Sequence, residues 1–122
     1  MNIIVIGAGR MGQGLSDRLI DEGHSVTVID RDPAKIEHIT TNYDVMALQG
    51  NGADYEVLTE AGAEDADLLL AVTDDDAVNM LCCLTARKLG ISNTVARVRT
   101  MEYFRQLVFF KEELGLSLVF NP

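Results

Sequence analysis

The sequence predicts an α/β fold built on a doubly wound parallel sheet. Short apolar segments alternate along the chain with longer amphipathic ones, a pattern typical of strands joined by helices. The first apolar segment leads directly into a G-x-G-x-x-G turn at residues 7–12. The segment Leu68 to Val72 is uninterrupted apolar sequence, as in a central strand covered on both faces. We therefore expect a Rossmann-type sheet of six strands in the order 3-2-1-4-5-6.

Periodicity and capping residues define the elements of the first half. The first strand ends at the glycine turn, and the helix after it, carrying Met11, Leu15 and Leu19, stops near Gly23. Asp32-Pro33 is a typical helix start, because aspartate caps the helix and proline suits its first position. Asp54 likewise caps a third helix. The second and third strands are predicted over 25–30 and 44–49.

In the second half, Thr73 and Asp76 have the spacing of a capping box for a helix that Gly90 closes. Its inward face is predicted from the apolar residues Ala77, Met80, Leu81, Leu84 and Leu89. A strand over 94–98, a helix over 101–114 and a last strand over 116–120 follow. Because the sequence stops directly after that strand, we expect a fragment of a longer chain whose last strand is sheltered by something absent.

Composition limits the domain count and the partners. The 122 residues suit one domain, 1–122, and leave no room for a separate substrate domain. A net charge of -9 opposes any broad attraction to nucleic acid or anionic lipid. No apolar run has the length of a membrane span and no signal peptide precedes the first strand, so we expect a cytoplasmic chain. The adjacent Cys82 and Cys83 suit buried small side chains better than a disulfide or a zinc site.

The glycine turn has the composition of a pyrophosphate cradle. Gly7 permits the tight turn, Gly9 lets a phosphate approach the backbone, and Gly12 lets helix and strand pack closely. The phosphate would lie on the free N–H groups of the helix. Asp30, 18 residues beyond Gly12, ends the second strand, where a carboxylate accepts hydrogen bonds from a ribose. Its charge favours NAD or an adenosine nucleotide over NADP, although Arg31 next to it could pair with a 2′-phosphate.

The remaining strand ends carry further candidate residues. Arg97 and Arg99 lie on one side of the fifth strand, where they can act together on phosphate or a neighbouring subunit, or pair with surface acids. Asp74, Asp75 and Asp76 suit a divalent cation, but also the N-terminus of a helix, which is the simpler explanation.

No catalytic group is predicted. His24 and His38 have no evident nucleophile beside them, and Ser16 lies within a helix. Two functions stay open for a nucleotide-binding chain of this kind: the NAD(P)-binding part of a dehydrogenase or reductase whose catalytic domain is absent, and a structural oligomerisation domain.

Several segments together resemble one family. They are similar to the TrkA N-terminal, or KTN, domain, a relative of the RCK domains of potassium channels. The matching segments are Gly7-Ala8-Gly9-Arg10-Met11-Gly12, Val28-Ile29-Asp30-Arg31-Asp32, and Leu58-Thr59-Glu60-Ala61-Gly62 through Ala66-Asp67 to Ala71-Val72-Thr73-Asp74, with Asn79 soon after. The resemblance implies a non-enzymatic regulatory domain that binds NAD, NADH, ATP or ADP. It also implies a homodimer or larger ring, cytoplasmic and peripheral to the inner face of the membrane, that gates a potassium transporter or channel.

The resemblance also implies the binding residues. Gly7, Gly9 and Gly12 would cradle phosphates, Asp30 would hold the ribose, and Arg10 would reach phosphates, in some members across the dimer interface. Gly50 and Asn51 would border the adenine, with Asn51 in place of the family's usual acid, which leaves the preferred nucleotide open. The full predicted set is Gly7, Ala8, Gly9, Arg10, Met11, Gly12, Asp30, Arg31, Gly50, Asn51, Gly52, Ala71, Val72, Thr73, Asp74 and Arg97.

Overall fold

The computed structural model describes residues 1–114 and 118–120. Strands and helices alternate along the chain, as the apolar periodicity requires. The strands are β1 (Asn2–Ile6), β2 (Ser25–Asp30), β3 (Met46–Gln49), β4 (Leu68–Ala71), β5 (Asn93–Arg97) and β6 (Leu118–Phe120). The helices are α1 (Arg10–Asp21), α2 (Pro33–Asn42), α3 (Tyr55–Glu60), α4 (Asp76–Lys88), α5 (Met101–Phe109) and α6 (Lys111–Leu114), with a 3-10 turn at Ala63–Asp65.

The strands form one parallel sheet in the order β3-β2-β1-β4-β5-β6. The chain starts in the middle of this sheet, winds outward through β2 and β3, and then crosses back to β4. The predicted class, an α/β fold around a parallel sheet, is confirmed. The last predicted strand falls partly on residues outside those described, and the strand the structure has there, β6, pairs with β5 over three residues.

Alternation along β1 divides the core into two layers. Ile4 and Ile6 pack on one face of the sheet with Leu58, while Ile3 and Val5 pack on the other face. Both layers are buried by helices, as a doubly wound sheet requires. The C-terminal ends of the central strands therefore open at one edge of a sheet whose centre is covered on both faces.

Two of three predicted helix starts are confirmed. Asp32 accepts a hydrogen bond from the Ala34 N–H, and Asp54 accepts one from the Glu56 N–H. The predicted capping box at the start of α4 is wrong. Asp75 is the N-cap, with its carboxylate accepting from the Val78 N–H, because Asp76 is drawn instead into the turn after β5.

Helix α4 buries only part of the predicted apolar set. Cys82 and Cys83 are buried, as predicted, and Met80 and Leu89 pack against the same core, but Leu81 and Leu84 are exposed. The small buried residues let the helix lie close to the sheet, and Leu81 and Leu84 point outward. Both thiols are free, and burial raises the pKa of Cys82 to about 12, so neither is a reactive thiolate near neutral pH.

Other boundaries also differ from those predicted. Strand β4 ends at Ala71 rather than Val72, and β5 spans Asn93–Arg97 rather than 94–98. Strand β3 starts at Met46, where pairing with Thr27 begins, and not at residue 44. The predicted helix over 101–114 is interrupted at Phe110 and divided into α5 and α6. Over residues 1–114 and 118–120, no helix combines the length and apolar character that crossing a bilayer requires.

Candidate functional site

A cavity of about 900 Å³ opens at the C-terminal ends of the strands. This edge is where open α/β sheets bind their ligands, next to the point at which the strand order reverses between β1 and β4. The residues that line it are Ile6, Gly7, Gly9, Arg10, Met11, Ile29, Asp30, Arg31, Lys35, Gly50, Asn51, Gly52, Val72, Thr73, Asp74, Asp75, Val78 and Arg97.

All but three of the sequence-predicted site residues line this cavity. The exceptions are Ala8, Gly12 and Ala71, each of which is buried. Ala8 contributes its N–H to the turn, Gly12 packs against the strand, and Ala71 lies within the sheet between β1 and β5. These three residues support the cavity from behind.

Sequence reasoning missed five lining residues: Ile6, Ile29, Lys35, Asp75 and Val78. Lys35 lies in the first turn of α2, directly after the Asp32-Pro33 start, and this position at the edge of the sheet could have indicated it. Ile6, Ile29 and Val78 are apolar, and no sequence signal separates them from core residues.

The glycine turn contains one glycine that the fold needs on conformational grounds. Gly7 has φ +115°, and a Cβ there would lie 3.1 Å from the Val72 carbonyl. Any side chain would therefore be strained as well as crowded. The N–H of Gly7 donates to the Ile29 carbonyl at 2.8 Å, which fixes the turn against β2.

Gly9 is different, because the fold leaves its side-chain position empty. A Cβ at Gly9 would have nothing within 4 Å, and its φ of -76° is open to any residue. Gly9 is also the N-cap of α1, whose first N–H groups have no partner within the helix. Glycine at this position keeps the approach to those N–H groups clear.

The carboxylate of Asp30 is tied to the backbone on both oxygens. Oδ2 accepts from the Ala8 N–H and Oδ1 from the Asp32 N–H, each at 2.8 Å. Each carboxylate oxygen keeps a second acceptor site. Asp30 thus holds the glycine turn in place while it faces the cavity.

Asn51 is held in a similar way. Its side-chain oxygen accepts from the Ala53 N–H at 3.0 Å, and its carbonyl accepts from the Asp54 N–H. The side-chain NH₂ can donate towards the cavity, and the side-chain oxygen keeps a second acceptor site.

The cavity is more basic than the chain as a whole, because four basic residues and three acidic ones, Asp30, Asp74 and Asp75, line it in a chain of net charge -9. Four of the ten basic residues, Arg10, Arg31, Lys35 and Arg97, line it, in a chain with 19 acidic residues. In the part of the chain that the structure describes, Arg10, Arg31 and Lys35 form no ion pair. Three cations without carboxylate partners at the edge of one cavity favour an anionic ligand.

The far wall of the cavity is organised by Asn79, which is completely buried. Its oxygen accepts from the N–H and the hydroxyl of Thr73, and its amide donates to the carbonyls of Thr73 and Arg97. All its hydrogen-bonding capacity is used. Asn79 therefore connects the ends of β4 and β5, and it is a positioning residue that the sequence showed only as a neighbour of the matched motif.

Asp76 reinforces the same junction. Its carboxylate accepts from the backbone N–H groups of Arg99 and Thr100 at 3.0 and 2.9 Å. Burial raises its pKa, but the hydrogen bonds from Arg99 and Thr100 outweigh that effect and leave the pKa below its ordinary value of 3.8. The group is charged near neutral pH.

Both arginines at the end of β5 approach the same carboxylate. Asp74 Oδ1 lies 3.5 Å from Arg97 Nη1 and 3.6 Å from Arg99 Nη2. Arg97 lines the cavity and Arg99 does not. Of the two interpretations left open, pairing with acids is confirmed, and only Arg97 is also placed to meet a ligand.

The remaining candidate groups are the carboxylates that could hold a metal ion and the two histidines. Within the described ranges, no group of three or more histidine, cysteine, aspartate or glutamate side chains is placed to hold a metal ion. His24 lies beside the N-terminal ammonium group and Glu22, and His38 lies beside Asn42. Neither histidine is among the residues that line the cavity.

The chain is similar to one protein family over nearly its whole length. The family model described as the TrkA-N domain matches residues 3–122. The Trk system potassium uptake protein TrkA of Halomonas elongata is 38% identical over 124 aligned positions, covering 100% of this chain and 27% of that protein. A TrkA homolog of Archaeoglobus fulgidus is 38% identical over 122 residues and is covered to 28%. The chain thus spans about a quarter of the length of these relatives.

Solved structures of the GsuK channel share the fold. GsuK bound to ADP superposes with a TM-score of 0.79 at 26% identity, over 98% of this chain and 30% of the channel chain. GsuK bound to NAD has a TM-score of 0.82 at 21% identity, over 97% and 21%. The resemblance predicted from the motifs is confirmed. The expectation that the chain is not an enzyme is confirmed by the same family match, not by the glycine turn.

Proposed function

Because the chain belongs to the TrkA-N domain family, we propose that it is a single nucleotide-sensing regulatory domain. It binds NAD or NADH, or ATP or ADP, in the cavity at the strand ends, and its ligand state gates a membrane potassium transporter or channel. The observation that carries this proposal is the cation-lined cavity of a strongly acidic chain. Such a site attracts the phosphates of a nucleotide while the rest of the surface does not.

The glycine turn is the proposed phosphate site. The open position at Gly9 and the free N–H groups of α1 offer anion-binding donors at the positive end of a helix. Arg10 and Met11 border this turn in the same cavity. A pyrophosphate on these N–H groups would place an adenosine on the β2 side, beside Asp30 and Asn51.

The adenosine half is proposed to bind between β2 and β3. Asp30 keeps a free acceptor site on each oxygen for ribose hydroxyls, and the Asn51 amide can donate to a ring nitrogen of adenine. Gly50 and Gly52 line the adjacent part of the cavity, where neither has a side chain that could block a ligand. The ligands follow the family and the solved neighbours, which include a channel bound to ADP.

Self-association is proposed on the exposed apolar faces of α4 and α5. Leu81, Leu84, Met101, Val108 and Phe109 are all exposed, Phe109 to 75%. Large apolar side chains on adjacent helices favour burial against a second copy of the chain. The proposed assembly lies in the cytoplasm against the inner face of the membrane, where it contacts the transporter, and it uses neither nucleic acid nor direct insertion into the bilayer.

A pair of glycine variants tests the site. Gly9→Ala adds one methyl group to the empty position above the helix N-terminus, so we expect folding to be retained and nucleotide affinity to fall at least tenfold. Gly14→Ala is the matched control, because a Cβ there also meets nothing within 4 Å and Gly14 lies outside the cavity. Titration calorimetry with NAD, NADH, ADP and ATP measures the affinities, and circular dichroism checks the fold.

Two results would refute the proposal. One is that none of the four nucleotides binds the unaltered protein at millimolar concentration. The other is that Gly9→Ala and Gly14→Ala bind with equal affinity, since the phosphate would then lie elsewhere. If a nucleotide binds but does not change potassium flux through the assembled transporter, the proposed binding site stands and the proposed regulatory role is refuted.

A further inference from the structure

Arg97 is held in an unusual state at the far end of the cavity. Its side chain is 13% exposed, and its buried Nε has no hydrogen-bond partner among the described residues. Its ion pair is with Asp74, and the 3.5 Å separation from Nη1 to Oδ1 is long for a charge-assisted hydrogen bond. A guanidinium has five donors in a planar fork that matches phosphate oxygens. Among the described residues, Nε in particular is left without an acceptor.

The partner of Arg97 is free to move. The side chain of Asp74 is 79% exposed, and its carboxylate is shared with Arg99 at 3.6 Å. Arg99 also donates to the Asp74 carbonyl at 3.1 Å, outside the cavity. Only the Asp74 side of this pair is exposed, so solvent can screen Asp74 but not Arg97. Asp74 can therefore leave Arg97 when another anion takes its place, and keep Arg99 as its counter-ion.

We propose that Arg97 is the terminal-phosphate residue of this cavity and that Asp74 is its built-in competitor. The inference rests on the proposed function and extends it to ligand choice. A phosphate chain that starts at the glycine turn and runs past Val72 and Thr73 reaches the ends of β4 and β5, where Arg97 lies. A third phosphate would replace Asp74 on the guanidinium. A monophosphate stops at the turn, and a dinucleotide carries a ribose there instead of a terminal phosphate.

The pair then sets the preference between nucleotides by opposing effects. Arg97 attracts the terminal phosphate of ATP, while Asp74 both occupies Arg97 and repels the phosphate by like charge. Removing Asp74 should therefore strengthen ATP binding, and removing Arg97 should weaken it. Neither change should alter AMP or NAD, because those ligands place no phosphate at this end.

The test measures the affinities of ATP, AMP and NAD by titration calorimetry in EDTA, so that no divalent cation bridges phosphate and aspartate. Asp74→Asn is expected to tighten ATP binding roughly two- to fivefold, the range for an exposed ion pair. Arg97→Gln is expected to weaken it roughly tenfold, as for a lost charge-assisted bond. Affinities for AMP and NAD should stay within about twofold.

Asp17→Asn is the matched control, because it removes one negative charge from an exposed position on α1 away from the cavity. It should leave the ATP affinity unchanged, which separates a local effect from a change in net charge. Asp74 is exposed, so its variant keeps the test valid even if the buried Arg97→Gln fails to fold.

The outcomes distinguish this inference from the proposed function. If no nucleotide binds the unaltered protein, the proposed function fails first. If AMP or NAD binds but Asp74→Asn leaves the ratio of ATP to AMP affinity unchanged, the terminal-phosphate role of Arg97 is overturned and the site survives. Parallel losses for ATP, AMP and NAD in a folded Arg97→Gln would also overturn it, since Arg97 would then act on the whole site.

Discussion

The carboxylate of Asp30 accepts a hydrogen bond at 2.8 Å from the backbone N–H of Ala8, which lies 22 positions earlier in the chain, in the glycine turn. The second oxygen accepts from the Asp32 N–H at the same distance. The residue predicted to recognise a ribose therefore also fixes the turn that would hold the phosphates. Ligand recognition and local stability depend on one side chain.

Replacing Asp30 should therefore destabilise the protein before any ligand is added. In Asp30→Asn, an amide NH₂ would face one of the two backbone N–H groups, so we expect a loss of about 1–3 kcal/mol, the cost of an unsatisfied buried group. Urea unfolding followed by circular dichroism measures it. Asp32→Asn is the control, because asparagine caps a helix as well as aspartate does. Equal stability of the two variants would contradict the structural role of Asp30.

Gly12 should be essential to the fold rather than to the ligand. A Cβ at this position would collide with the backbone carbonyl of Gly7, which no side-chain movement can relieve. We expect Gly12→Ala to lose more than about 3 kcal/mol, in the range of severe backbone and packing defects. The folded fraction in circular dichroism and the urea midpoint measure the loss. A Gly12→Ala protein as stable as Gly14→Ala would show that α1 packs less closely on β1.

Asn79 should tolerate no change of its amide. In Asn79→Asp an oxygen replaces the nitrogen that donates to the carbonyls of Thr73 and Arg97. Both carbonyl oxygens would then face a carboxylate oxygen in a fully buried site, with no donor between them. We expect a destabilisation of about 2–4 kcal/mol, from unsatisfied buried carbonyls and a buried charge. Asn93→Asp makes the same exchange at an exposed site with one 3.3 Å bond and should change the stability little. Similar urea midpoints for both variants would refute the prediction.

The local motifs could be predicted from the sequence because their structure depends on neighbouring residues. The glycine turn at Gly7 and the strand end at Asp30 are set by patterns within a few positions, and parallel strands bring such ends together. The buried role of Asn79 could not be predicted, since it depends on carbonyls that lie 6 and 18 residues away.

The inward face of α4 shows the other limit. Leu81 and Leu84 are predicted to face inward because they are large and apolar, but both are exposed, while the predicted burial of Cys82 and Cys83 is confirmed. Apolar residues occur around most of this helix, so its periodicity does not choose a face. Close packing on the sheet favours the smaller side chains, and this depends on the distance between helix and sheet, which no local pattern encodes.

Acid should weaken the junction between α4 and α5 through Asp76. Its folded pKa is lowered below 3.8, so its contribution to stability is fully present above that value and is lost as the pH falls through the folded pKa. Asp76→Asn lacks this carboxylate, so the stability gap between the unaltered protein and the variant should be largest near neutral pH. It should narrow as the pH falls below about 3.8. Urea unfolding from pH 3 to pH 7 measures the gap, and a gap independent of pH would contradict the assignment.

Arg10 should respond to the number of phosphates at the turn. It lies in the first turn of α1, lines the cavity and forms no ion pair within the described residues. Because ATP and ADP bring more negative charge to this point than the pyrophosphate of NAD, Arg10→Ala should weaken both roughly three- to tenfold and NAD less. The loss for ADP separates Arg10 from Arg97, which should affect ATP alone. Arg18→Ala, on the same helix outside the cavity, is the control, and equal losses for ATP and NAD would refute this role for Arg10.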